Sequence, residues 1–273
     1  MTEENTNITD KNKETAQEKT SETAKNKKIS RLMFLLGIVV IAVGVIMLVM
    51  NQLNYKKSND LYDKTKEEYT EVNENSGEWY EQIQVDFDAL QKINGEIVGW
   101  IHFEKEDIDY PILRANDNDK YLRTTYDGTD ATAGSIFMDY NNESDMTDSH
   151  ILIYGHNMRN LSMFGNLKKY RTEENYFDEH KYFQIITPEG AKRYEVISYK
   201  EVSETDNMYT IYRTSDEKYM TYLNDTILSG SLVDNKEVNV EELQNPQVVS
   251  LSTCTASDDK RFVVSGVLVD EHK

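Results

Sequence analysis

The chain has 273 residues, enough for one ordinary domain with a sizeable core once any tail or anchor is set aside. Hydrophobic residues make up 38% and charged residues 29%, a globular composition, and 49 acidic against 30 basic side chains give a formal net charge of −19. So acidic a surface argues against nucleic acid as a partner and otherwise reads as a solubility device.

Residues 1–24 are rich in Glu, Lys, Thr and Asn with almost nothing apolar, so they cannot offset the entropy of ordering. The expected organisation starts with a disordered cytoplasmic tail over 1–31. From Leu32 to Met50 runs an uncharged stretch, LMFLLGIVVIAVGVIMLVM. At about 1.5 Å per residue it spans a hydrocarbon core of about 30 Å, so a transmembrane anchor is expected over 32–50. A cleaved signal peptide would have a shorter apolar region and a small-x-small site, and Asn51-Gln52-Leu53-Asn54 offers none. A buried soluble helix would show a polar stripe, which is missing. Lys25, Lys27, Lys28 and Arg31 precede the run, while Lys56 and Lys57 follow it with Asp60 close behind. This bias favours a cytoplasmic N-terminus and places the rest of the chain outside the cell.

Residues 55–75 are charged and predict a helical or loose stalk, within a spacer over 51–78. Trp79, Ile83, Phe87, Leu90 and Ile93 recur at steps of three and four, predicting an amphipathic helix that opens a domain over 79–273 and ends at Gly95. Eight β-rich runs follow: 97–103, 108–113, 134–139, 150–155, 181–187, 191–202, 247–254 and 261–269. Pro188-Glu189-Gly190 predicts a hairpin between the fifth and the sixth. Helical character interrupts the strands at 162–180 and 215–229; in the second, Thr214 with Glu217 suggests a capping box and Gly230 a stop. Many short strands with few helices predict a mainly β domain, a closed or nearly closed barrel.

One cysteine, Cys254, cannot make an internal disulfide, so it is either a small buried hydrophobe or a thiol kept for chemistry. It ends the seventh run, and Arg261 starts the eighth after a short polar loop. If those runs are antiparallel neighbours, thiol and guanidinium share one end of a hairpin, where a permanent cation favours thiolate and stabilises an oxyanion. The plain alternative for Arg261 is a surface cation paired with Asp258 or Asp259. A cysteine nucleophile needs an acid/base partner near neutral pH, and imidazole is the usual choice. Of His102, His150, His156, His180 and His272, His156 follows a strand directly, after a permissive Gly155, and is the best placed. No ligand set for a metal, no phosphate loop and no dinucleotide fingerprint is present, so no cofactor is expected.

These residues resemble the sortase family, and within it class B. The nucleophile motif Leu-x-Thr-Cys matches Leu251-Ser252-Thr253-Cys254, the arginine opening the last strand matches Arg261, and the histidine motif matches Gly155-His156-Asn157-Met158. GSIFMDYNN (134–142), DNDKYL (117–122), GWIHF (99–103), SMFGNLKKY (162–170) and the helix-bearing insertion before the seventh strand extend the likeness over about 79–269. The resemblance implies an eight-stranded barrel in which Cys254, His156 and Arg261 meet in a groove. It implies a membrane-anchored transpeptidase of Gram-positive-type cells that cuts the sorting motif of secreted proteins after Thr, holds the acyl end as a Cys thioester and passes it to an amine of peptidoglycan or its precursor. An acidic residue soon after the cysteine, Asp258 or Asp259 here, is a looser match. Two other readings share some features: a papain-like hydrolase, which would need a helix starting at the nucleophile, and a non-enzymatic wall-binding module with an inert Cys254.

Overall fold

The computed structural model describes residues 4–73, 76–233, 238–240, 242–254 and 259–273, with backbone alone for 4–30, Leu32 and Cys254. Two compact units divide the chain, Met1–Leu53 and Asn54–Lys273. Helix α1 (Glu4–Tyr69) supplies the first and opens the second. In the first unit the apolar side chains from Met33 to Met50 stand exposed, Phe34 at 71% and Leu48 at 67%. That surface is unfavourable in water and suits hydrocarbon. Among the described residues, α1 is the one helix long and apolar enough to cross a membrane.

In the second unit, α1 turns Ser58, Tyr62 and Thr65 inward at helical spacing. The Tyr62 hydroxyl donates to the Gly134 carbonyl at 2.6 Å, and Lys66 reaches the buried Asp109 carboxylate at 2.8 Å. Strand β1 (Thr70–Val72) then pairs antiparallel with β2 (Ile83–Val85), ahead of α2 (Phe87–Ile93). The helix predicted from Trp79 therefore forms only in its second half. Ile83–Val85 is taken by the β1 partner, and Asp86 caps the shortened helix by accepting from the Ala89 amide at 2.9 Å.

All eight predicted strands of the main domain form: β3 (Ile97–Phe103), β4 (Asp109–Leu113), β5 (Ile136–Met138), β6 (His150–Tyr154), β7 (Tyr182–Thr187), β8 (Gly190–Ser203), β9 (Val248–Cys254) and β10 (Lys260–His272). They close a mainly β barrel in the order β10-β8-β7-β3-β4-β5-β6-β9, leaving no open edge. The predicted β7–β8 hairpin forms, turning at Pro188-Glu189 with Gly190 opening β8. Two neighbours are parallel, β4 with β5 and β6 with β9. Trp100, Phe103, Phe183 and Tyr194 are fully buried, and Phe183 stacks between Phe103 and Tyr194 at 5.1 and 5.2 Å.

The interruptions are short. Helices α3 (Lys169–Thr172) and α4 (Tyr176–Glu179) lie within 162–180, and α5 (Glu217–Tyr222) runs on through a wider turn, Leu223–Leu228. Asp216, and not Thr214, caps α5 by accepting from the Tyr219 amide, while Gly230 takes the left-handed conformation expected of a stop. Tyr219, Leu223 and Ile227 form a second apolar cluster with Val263 and Val267 of β10.

Candidate active site

Strand register assembles the site. In the parallel pair, Tyr154 of β6 stands opposite Ser252 of β9, and the Gly155 amide donates to the Ser252 carbonyl at 3.1 Å. Two residues further along each chain come His156 and Cys254. In the antiparallel pair, Arg261 is the direct partner of Cys254. Parallel pairing thus brings the histidine and cysteine segments to one end of the barrel, and the hairpin brings the arginine to the same end. His156, Thr253 and Arg261 line one cleft there, with a volume of about 440 Å³. The Cys254 side chain, the loop at 255–258 and with it Asp258 lie outside the described residues.

Gly155 earns its place by space. It needs no positive φ, but an added Cβ would lie 2.5 Å from Ile136 Cδ1 and 2.7 Å from the Phe164 ring. Phe164 is fully buried beneath it and its amide donates to the His156 carbonyl at 3.0 Å. His156 Nε2 is 2.6 Å from the Leu122 carbonyl oxygen. A carbonyl only accepts, so Nε2 carries the hydrogen, and in the neutral ring Nδ1 is the basic nitrogen. One main-chain oxygen thus fixes both the ring and its tautomer.

Arg261 is about one-quarter exposed and donates from Nη2 to Glu204 at 2.9 Å and from Nη1 to the Lys260 carbonyl at 3.0 Å. Glu204 is thus an acidic partner that the sequence reading did not single out beside Asp258 and Asp259. Tyr154 and Tyr209 stack at 6.4 Å in the cleft wall, and the Tyr209 hydroxyl is 3.0 Å from Ser252 Oγ. Tyr154 and Asn118 both donate to Asp139 Oδ2, at 2.8 and 2.9 Å. Burial first, and then the Asp139 charge, push the Tyr154 phenol far up, so it stays a neutral donor. Leu122, Phe137, Tyr154 and Tyr209 give the cleft an apolar face, beside the polar groups of Asn118, Thr205, Ser252, Thr253, Glu204 and Arg261.

The other histidines lie elsewhere. His150 is fully buried at the start of β6, with Nδ1 donating to the Thr210 carbonyl at 2.8 Å and Nε2 at 2.9 Å from Ser250 Oγ. Burial pushes its pKa down to about 4, so it is neutral near pH 7. His102 faces Asp109 at 3.3 Å, His180 stacks on Tyr176, and His272 stacks on Tyr80. None lines the cleft. The residues missed by sequence reasoning are Leu122, Tyr154, Tyr209 and Glu204. Leu122 acts through its main chain, which has no side-chain signature, and the tyrosines are hidden among 18 in the chain.

Comparison with known proteins agrees with this geometry. The sortase domain family matches residues 101–269. Sortase B of Listeria monocytogenes is 34% identical over 193 residues, covering 69% of this chain and 76% of that protein. Sortase B of Staphylococcus aureus is 26% identical over 246 residues, covering 89% and 98%. Sortase B from B. anthracis in complex with AAEK1 superposes with a TM-score of 0.67 at 33% identity, covering 80% of this chain and 99% of that one. A Staphylococcus aureus sortase B–substrate complex superposes at 0.65 with 25% identity, covering 80% and 99%. Barrel, cleft and relatives agree, and the chain belongs to the sortase family of transpeptidases, in its class B.

Proposed function

We propose that this sortase is anchored by residues 32–50 with its N-terminus in the cytoplasm, and that it joins secreted proteins to peptidoglycan or its precursor through a thioester on Cys254. The observation that carries this reading is the register: Cys254 is paired with Arg261 and lies level with His156 at one end of the barrel. In the first step the Cys254 thiolate attacks the carbonyl carbon of a Thr in the sorting motif. A C–S bond forms, the C–N bond to the next residue breaks, and His156 gives its Nδ1 proton to the leaving amine. Arg261 holds the oxyanion through its donor fork. In the second step an amine of peptidoglycan or its precursor attacks the thioester. Neutral His156 takes the proton of that amine at Nδ1, a C–N bond forms, and the C–S bond breaks to restore the thiolate.

Reference values near 8.5 for a thiol and 6.5 for imidazole make the thiolate–imidazolium pair a minority form at neutral pH unless the cation favours it. Arg261 supplies that bias. The test uses the full-length chain in detergent, incubated with a library of Thr-containing peptides and analysed by mass spectrometry. The expected result is an adduct on Cys254 that ends at Thr and is discharged by an added amine. Absence of an adduct, or its persistence in Cys254→Ala, would overturn the reading.

A further inference from the structure

Arg261 is held by a carboxylate that the proposed chemistry does not use. Glu204 lies one residue beyond β8, and its amide donates to the Asp259 carbonyl at 3.1 Å, so the β8–β10 ladder continues through it. The main chain therefore sets Glu204 beside the start of β10, where its Oε2 accepts from Arg261 Nη2 at 2.9 Å. Glu204 also lines the cleft, together with His156 and Thr253. Its side chain is 51% exposed, and exposed ion pairs add little to stability. A ladder-fixed carboxylate on a cleft-lining arginine alters the charge of the cleft far more than the stability of the fold.

Building on the role proposed for Arg261, we propose that Glu204 is a positioning residue that holds the Arg261 guanidinium at the cleft and cancels part of its charge until a substrate carbonyl takes its place on the donor fork. The groups facing this corner are His156 from the segment after β6, Tyr154 and Tyr209 from the wall, and Arg261 from β10, with Asp259 and Lys260 adjoining Arg261 in the chain. Arg261 draws Cys254 towards thiolate, and Glu204 opposes it. The resting enzyme is thus less reactive than its arginine alone would make it, and substrate binding relieves the restraint. A thiol held back in this way is spent less on stray electrophiles and oxidants.

The chain has a single cysteine, so alkylation reports on Cys254 alone. The test is the rate of iodoacetamide alkylation of the full-length chain in detergent from pH 5 to 10, for the wild type, Glu204→Gln and Glu204→Asp. Removing the charge that sits on Arg261, the strand partner of Cys254, should move the acid limb of Glu204→Gln down by about half a pH unit. Alkylation at neutral pH should then rise about two- to threefold, the gain being trimmed by the lower nucleophilicity of a more acidic thiol. Glu204→Asp keeps the charge and should follow the wild type. Added salt should shrink the Glu204→Gln shift. Coincident curves for wild type and Glu204→Gln would overturn the proposal, as would an equal shift in Glu204→Asp, which would assign the effect to shape and not charge. If the Cys254 adduct forms with peptides and yet the curves coincide, only the role of Glu204 fails. If no adduct forms, the reading of the site fails whatever the alkylation shows.

Discussion

The two ends of β6 each present a histidine, and they could hardly differ more. His150, at the start, is fully buried between the Thr210 carbonyl and the Ser250 hydroxyl, with Tyr222 3.2 Å away. His156, just past the end, is partly exposed in a cleft, with Nε2 held by a main-chain carbonyl. Six residues apart, at the start of one short strand and just past its end, the same side chain is a neutral structural member in one place and a candidate acid/base in the other. What separates them is solvent access: His150 is sealed with both ring nitrogens engaged, whereas His156 lines the cleft.

The sharpest way to break this contrast is to truncate each histidine. His156→Ala should slow thioester formation about 10²- to 10⁴-fold with little change in melting temperature, and single-turnover acylation beside a thermal melt would check it. Next in size, Arg261→Lys should cost about a hundred- to a thousandfold in acylation, because an ammonium lacks the planar donor fork; near wild-type acylation would reduce Arg261 to a surface cation. His150 should show its effect in stability. Its folded value of about 4 lies below an unfolded value near 6.5, so the unfolded chain binds the extra proton. The stabilisation is full above pH 6.5 and is lost as pH falls towards 4, to a total of about 3 kcal/mol. His150→Gln should flatten this dependence, which denaturant melts between pH 4 and 7 would measure. The smallest effect belongs to the strand end itself: Gly155→Ala should destabilise by about 1–3 kcal/mol through overpacking on Ile136 and Phe164, and should also disturb the His156 ring. An unchanged melt would show that Phe164 yields freely.

Much of the barrel was legible because each strand is a β-branched or aromatic run closed by turn chemistry, and the Cys254–Arg261 pairing followed from a short loop between two such runs. The start of α2 was not legible, since the periodicity of Trp79–Ile93 serves a helix and a strand equally until β1 pairs with Ile83–Val85. Nor was the parallel pairing of β6 with β9, because nothing local in either run names a partner so distant along the chain. Glu204 lies among other polar residues in Glu201–Asn207 and gains meaning only from a register that ends one residue before it. Beyond their strand and helix patterns, the stretches SMFGNLKKY and GSIFMDYNN were tied to the site by likeness alone. The structure supplies their reasons, with Phe164 supporting the turn at Gly155 and Asp139 orienting Tyr154 and Asn118.

The parallel seam between β6 and β9 also governs when the chemistry comes into being. It joins residues roughly a hundred positions apart, a large loop to close before any contact rewards the closure. The β9–β10 hairpin, by contrast, closes only a short loop. Loop-closure cost alone therefore predicts that Cys254 and Arg261 come together before His156 reaches them, so that the three candidate residues assemble only as the barrel closes.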